Sequence, residues 1–253
     1  MISIVLNLII FIIIFAGAVL GMMFRKILPD RHLDEDSKNM VVLGMGVVAT
    51  MAAITLGFMI EGARDSFRNQ RNDLIEISAK VILLDRLLAD YGPETGVARD
   101  RLRISLAKTI SHFWPKDGGE AAALNTLNDK VTVYGEILSL EPKTGRENSI
   151  RDEALSLAFE LSEERNTLVM TQVRVIPGAF IITLCLLVFW FVAIFFSFGL
   201  YAPANATVIS TLLIAALSVT IALFLIMELN RPYDGLLRMP SGPLVEALQQ
   251  IGK

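Results

Sequence analysis

Four stretches of this chain, 2–23, 40–60, 175–198 and 206–227, contain no Asp, Glu, Lys or Arg. Each matches the roughly 20 residues of helix that cross a hydrocarbon core. All 23 basic and 26 acidic residues therefore fall in the remaining chain, which has the charge density of an ordinary water-exposed helical protein. Within lipid every backbone N–H and C=O must be paired inside its own segment, so runs of this length are read as helices. A secreted, purely cytosolic or nucleic-acid-binding globule is excluded, and the reading is an all-α integral membrane protein with four transmembrane helices. The mean hydropathy of +0.55 agrees. With a net charge of −3 no global basic field recruits nucleic acid. Phe24-Arg25-Lys26 is no small-residue cleavage site and no basic region precedes the first run, so that run is read as a retained span rather than a signal peptide. The single cysteine, Cys185, lies inside the third span, so no intrachain disulfide forms.

The expected organisation is spans 1 and 2 in 1–60, a helical cytosolic region over 61–174, spans 3 and 4 in 175–227, and a cytosolic tail over 228–253. Orientation follows from basic residues near the span ends. Arg64, Arg68, Arg71, Arg165, Arg174, Arg231 and Arg238 lie on one side, against Arg25, Lys26, Arg31 and Lys38 on the other. The majority places the termini and 61–174 in the cytoplasm, in a multi-pass protein of the inner (plasma) membrane.

No breaker separates span 2 from Tyr91-Gly92-Pro93. Leu74, Ile77, Val81, Leu84, Leu88 and Tyr91 recur at helical steps, so span 2 is predicted to continue as one long helix beyond the bilayer. Further helices are expected over 94–112, 121–140 and 149–174, separated by Trp114-Pro115 with Gly118-Gly119, and by Glu141-Pro142. Pro177 falls in the first turn of span 3, where a missing N–H is tolerated. A short tail helix is predicted from Ser241, its N-cap, with Pro243 in the first turn and an apolar stripe of Leu244, Leu248 and Ile251. That stripe suits either the membrane surface or the middle helices.

No enzyme motif occurs: there is no Walker loop, dinucleotide turn, HExxH or nucleophile elbow, and no span holds a carboxylate for proton work. His32 and His112 fall on opposite sides of the membrane and cannot share a metal. No catalytic residue, cofactor or metal set is expected. The cluster His32, Asp34, Glu35, Asp36 and Ser37 could present carboxylates to a divalent cation, or simply cap span 2.

Span 2 is distinctive because it is rich in Gly, Ala and Thr. Gly46, Thr50, Ala53 and Gly57 share one face, which suits close helix packing or the lining of a narrow, weakly polar pore. In the pore reading Asp34, Glu35 and Asp36 stand at its outer mouth, and Glu61 and Glu228 at its inner end, with Arg64 and Arg231 three residues on. Gly17 and Gly21 form a second small-residue pair, in span 1. The bulky aromatics of spans 3 and 4 suit a lipid-facing role. Asn205-Ala-Thr207 has the form of a glycosylation acceptor but abuts span 4, which makes the match incidental.

Several runs resemble the bacterial bestrophin-like family of unknown function. They are Phe24-Arg-Lys-Ile-Leu-Pro-Asp-Arg-His-Leu-Asp-Glu-Asp-Ser-Lys38, Leu43-Gly-Met-Gly-Val-Val-Ala-Thr-Met51, Leu84-Asp-Arg-Leu-Leu88 with Tyr91-Gly-Pro-Glu94, Ser197-Phe-Gly-Leu200 and Glu228-Leu-Asn-Arg-Pro232. Through that family the order of elements is similar to that of bestrophins, pentameric anion channels whose second spans line the pore. The resemblance implies a homo-oligomer, a pentamer by analogy, conducting small inorganic anions through a pore lined by span 2. Only Glu228 and Asp234 stand where animal bestrophins carry an acidic calcium clasp, and Phe58 is the one aromatic in span 2. The competing readings are a non-conducting scaffold or sensor whose cytosolic helices bind a partner and, more weakly, a transporter, for which no inverted repeat is visible.

Overall fold

The computed structural model describes residues 2–29, 34–114, 132–173, 178–233 and 235–252. Among them there are helices and no strand: α1 (Ile2–Phe24), α2 (Glu35–Tyr91), α3 (Gly96–Phe113), α4 (Val133–Leu138), α5 (Gly145–Val173), α6 (Gly178–Tyr201), α7 (Ala206–Leu229) and α8 (Gly242–Gln250). Helices α1, α2, α6 and α7 are long and apolar enough to cross a membrane. His32, Arg31, the Pro115 and Gly118-Gly119 breaker, the first part of the helix expected over 121–140, Arg174, Pro177 and Asp234 lie outside the described residues.

The chain divides into two compact units, and α2 contributes to both. The first takes Met1–Phe67 and Val175–Leu237. Here α1 packs along both α6 and α7. The core is Ile10, Ile14 and Ala18 of α1, Leu187, Phe191, Ile194 and Phe195 of α6, and Leu212, Ala216 and Leu223 of α7. Glycine permits the close approach of α1 and α6. A Cβ on Gly21 would overlap the carbonyl oxygen of Phe196, and one on Gly199 would overlap that of Ala18. The small-residue pair of span 1 is thus consumed within the protomer, where dispersion between close backbones does the work that the hydrophobic effect cannot do in lipid. At the same end the Arg25 guanidinium donates to the Ala202 carbonyl at 2.8 Å, so the loops after α1 and α6 lie together. Asn205 caps α7, its Oδ1 accepting from Val208 N at 2.9 Å.

The second unit takes Arg68–Arg174 and Arg238–Lys253. The face of α2 read from the sequence is its core side: Leu74, Val81, Leu84, Leu88 and Tyr91 are buried and Ile77 is half-buried. Helix α2 stops at Gly92, whose φ of +139° favours glycine, and at Pro93. The Thr95 hydroxyl lies 2.6 Å from the Leu88 carbonyl and 2.8 Å from that of Gly92, satisfying the freed end of the helix.

Local details differ from the sequence expectation at the starts of α5 and α8. Helix α5 begins at Gly145, four residues before the expected Ser149, because Thr144 and Glu147 form a capping box. Thr144 Oγ1 accepts from Glu147 N at 3.2 Å, and Glu147 Oε2 accepts from Lys143 N at 2.6 Å. Ser241 flanks α8 but makes no side-chain cap, since its backbone is already near-helical. Of the stripe of α8, Leu244 and Ile251 are buried and Leu248 is half-buried, with Ala247 buried beside them, and α8 packs on α3.

Candidate functional site

The span of α2 is the least covered by its own protomer. Only 6% of its apolar window is buried, against 28% for each of the other three spans. Its inward face is Met45, Val48, Ala49, Ala52, Leu56 and Met59, packed on the core of the first unit. Gly46, Thr50, Ala53 and Gly57 are all exposed on the remaining surface. Among the described residues, a Cβ added at Gly46 or Gly57 would meet nothing within 4 Å. The contrast with Gly21 and Gly199 is direct. One pair of glycines holds helices together inside the protomer, whereas the α2 face does no packing there.

What that face offers chemically is limited and specific. From Asn39 to Ile60 it carries no charge. The Thr50 hydroxyl donates to the Gly46 carbonyl at 2.9 Å. Thr50 therefore presents an acceptor oxygen and a methyl group outward, unless it rotates to donate to a passing ion. A single protomer leaves this surface open, so an enclosed path needs further copies around it.

The residues expected at the mouths separate into different roles. Asp34 caps α2, its Oδ1 accepting from Ser37 N at 3.3 Å, with Glu35 and Asp36 in the first turn where negative charge suits the free N–H groups. No group of three or more potential ligands that could hold a metal ion occurs among the described residues. Glu61 is exposed. Glu228 is not: it is 1% exposed, and its Oε2 accepts from Leu236 N at 2.7 Å. The turn it holds passes through Gly235, at φ +99°, where a Cβ would strike the Glu228 carboxylate. In this protomer Glu228 thus clasps the turn after α7. His112 stands in α3, edge-on to Phe113, in the second unit.

The second unit has two charge clusters that sequence reasoning did not single out. Asp85, 6% exposed, takes Arg99 Nε and Nη2 at 2.8 and 2.9 Å and the Gly252 N–H at 3.2 Å, tying the chain's end to α2 and α3. The hydrogen bonds that it donates to Asp85 push the Arg99 guanidinium above its ordinary range. Lys80 is surrounded by Glu164, Glu76 and Glu160, and chiefly its hydrogen bond to Glu164 raises its pKa. No spacing rule connects residues across the turn at Gly92 or across α2 and α5, so of these contacts only the i, i+4 pair Glu76–Lys80 was legible in the sequence.

The family model of the bestrophin-like domain matches residues 12–244, a stretch that takes in the greater part of both units. No curated protein and no solved structure matches the chain significantly.

Proposed function

The chain belongs to the bestrophin-like family, and from that premise we propose that it is a homo-oligomeric ion channel conducting small anions. In this reading copies of α2 surround a common axis, as a pentamer by family analogy. The protein resides in the inner (plasma) membrane with its termini and 61–174 in the cytoplasm. It moves ions passively and catalyses no reaction.

The observation that carries the reading is the uncovered face of α2. A span made only for lipid gains nothing from Gly46, Thr50, Ala53 and Gly57 in place of large aliphatic residues. The outward side of α1, with Ile4, Val5, Leu8, Ile9, Ile12 and Ile13 exposed, is what a lipid contact requires. Small residues on an exposed face allow close approach by other copies and leave room along the axis. Anion preference is supported by the absence of any carboxylate between Asn39 and Ile60. Exposed charges at the mouths act over only about 8 Å at physiological salt, so the lining outweighs them.

The test is a reversal potential. Purified full-length protein in a planar bilayer under a KCl gradient should reverse near the chloride potential. Reversal near the potassium potential refutes anion selectivity while leaving a channel. Silence across lipids and voltages refutes conduction and favours the scaffold. For orientation, a cysteine at Pro203, with Cys185 replaced by alanine, should be labelled from the outer face alone.

A further inference from the structure

The exposed face of α2 does not end with its charge-free stretch. Gly46, Thr50 and Ala53 follow one another at steps of four and three, and Arg64, Arg68 and Arg71 repeat those steps 18 residues later. Eighteen residues make five whole turns of an α-helix, so the arginines stand in the same angular sector as the small residues, about 60° wide. Helix α2 is unbroken from Glu35 to Tyr91, which carries one register through both sets.

All three arginines are exposed, and among the described residues none of them pairs with a carboxylate. Charges of α2 that meet other helices are satisfied instead: Lys80 lies among Glu76, Glu160 and Glu164, and Asp85 takes Arg99. Asp65, the one acidic residue between Arg64 and Arg71, is turned about 60° or more from each of the three. Glu61 borders the sector, so three arginines against one glutamate leave two positive charges per copy. The preference for basic residues at a cytoplasmic span end accounts for the number of arginines but not for their confinement to one sector.

We propose that Arg64, Arg68 and Arg71 form a binding site for a divalent tetrahedral oxyanion, such as sulfate, at the inner end of the conduction path. The inference rests on the reading of α2 as the pore lining, because only a ring of copies brings arginines of different chains around one ion. Each planar guanidinium offers paired N–H donors that match the oxygens of such an ion, whereas chloride receives them as a single small charge. Chloride therefore passes after a brief stay, and sulfate stays long enough to block. Contact of this kind lies well inside the screening length of about 8 Å, so physiological salt attenuates it only in part.

Equilibrium binding of radiolabelled sulfate to full-length protein in lipid nanodiscs, at constant ionic strength, reads the site without requiring conduction. Binding should saturate with fewer ions than chains, because several copies share each ion. Arg68→Gln, at an exposed position where glutamine suits a helix as well as arginine, should raise the half-saturating concentration about tenfold or more. Arg146→Gln, which removes an exposed arginine from α5, should leave it unchanged. In bilayer recordings sulfate in both chambers should block the chloride current, with about tenfold lower potency for Arg68→Gln. No saturable binding to the wild type, or an equal loss in the two variants, overturns the site whether or not the protein conducts. Saturable binding that Arg68→Gln weakens, without any current, supports the site and refutes conduction. Block of equal potency in wild type and Arg68→Gln overturns the site and leaves the channel.

Discussion

Replacing Gly21 by alanine adds one methyl group, and the structure says where it goes. The new Cβ would overlap the Phe196 carbonyl oxygen and lie 2.9 Å from Leu200 N and 3.0 Å from the Phe196 carbonyl carbon. All three are backbone atoms of α6, so no rotamer relieves the clash and α1 must withdraw. Withdrawal loosens Ile14, Ala18 and Leu187, each at most 1% exposed, and the edge-on pair Phe24 and Phe196 at 5.9 Å. Overpacking of this kind costs about 1–3 kcal/mol. Gly57→Ala is the control: its Cβ meets nothing within 4 Å, and alanine in place of glycine favours a helix by up to about 1 kcal/mol. The assay is SDS denaturation of detergent-solubilised protein, followed by Trp190 on α6 in a Trp114→Phe background. Gly21→Ala should unfold at clearly lower denaturant and Gly57→Ala at the wild-type midpoint or above. Equal midpoints for Gly21→Ala and wild type, or an equal loss for both variants, would refute the assignment of the two glycine faces.

Asp85→Ala leaves Arg99 and the Gly252 N–H without their shared acceptor; because Arg99 is partly exposed, about 2–3 kcal/mol of stability should be lost, read by thermal denaturation. Glu147 has its pKa lowered, first by the hydrogen bond from Lys143 N. Its contribution is therefore present above the ordinary glutamate range and lost as pH falls through the depressed value. Circular dichroism should show helix loss on acidification, and Glu147→Gln should flatten that dependence. Gly57→Leu should leave the protomer's fold intact while shrinking or abolishing the conductance; unchanged particle size together with unchanged current would remove the α2 face from its role.

The spans were legible because charge exclusion over some 20 residues has one physical solution in lipid. The long α2 was legible because its apolar face keeps helical period from Leu74 to Tyr91, with Gly92-Pro93 as a stop. The start of α5 was missed although Thr144 and Glu147 carry the signal, since the box precedes a polar rather than an apolar run. Gly17 with Gly21 and Gly46 with Gly57 look alike in sequence. Only the neighbours distinguish them, because α6 lies against the first pair whereas, among the described residues, nothing lies within 4 Å of a Cβ at the second. Burial separates Glu61 from Glu228 in the same way, through a turn whose closure at Gly235 no local rule forecasts.

If the exposed face of α2 lines a water-filled path, a thiol there is reached from water, whereas one on the neighbouring face is packed within the first unit. Thr50 and Ala49 are adjacent in sequence and stand on those two faces. In a Cys185→Ala background, Thr50→Cys and Ala49→Cys channels are exposed to a charged, membrane-impermeant thiosulfonate during bilayer recording. The reagent should alter the Thr50→Cys current within minutes and leave Ala49→Cys unchanged. A current that responds at Ala49→Cys and not at Thr50→Cys, or at neither, would contradict it.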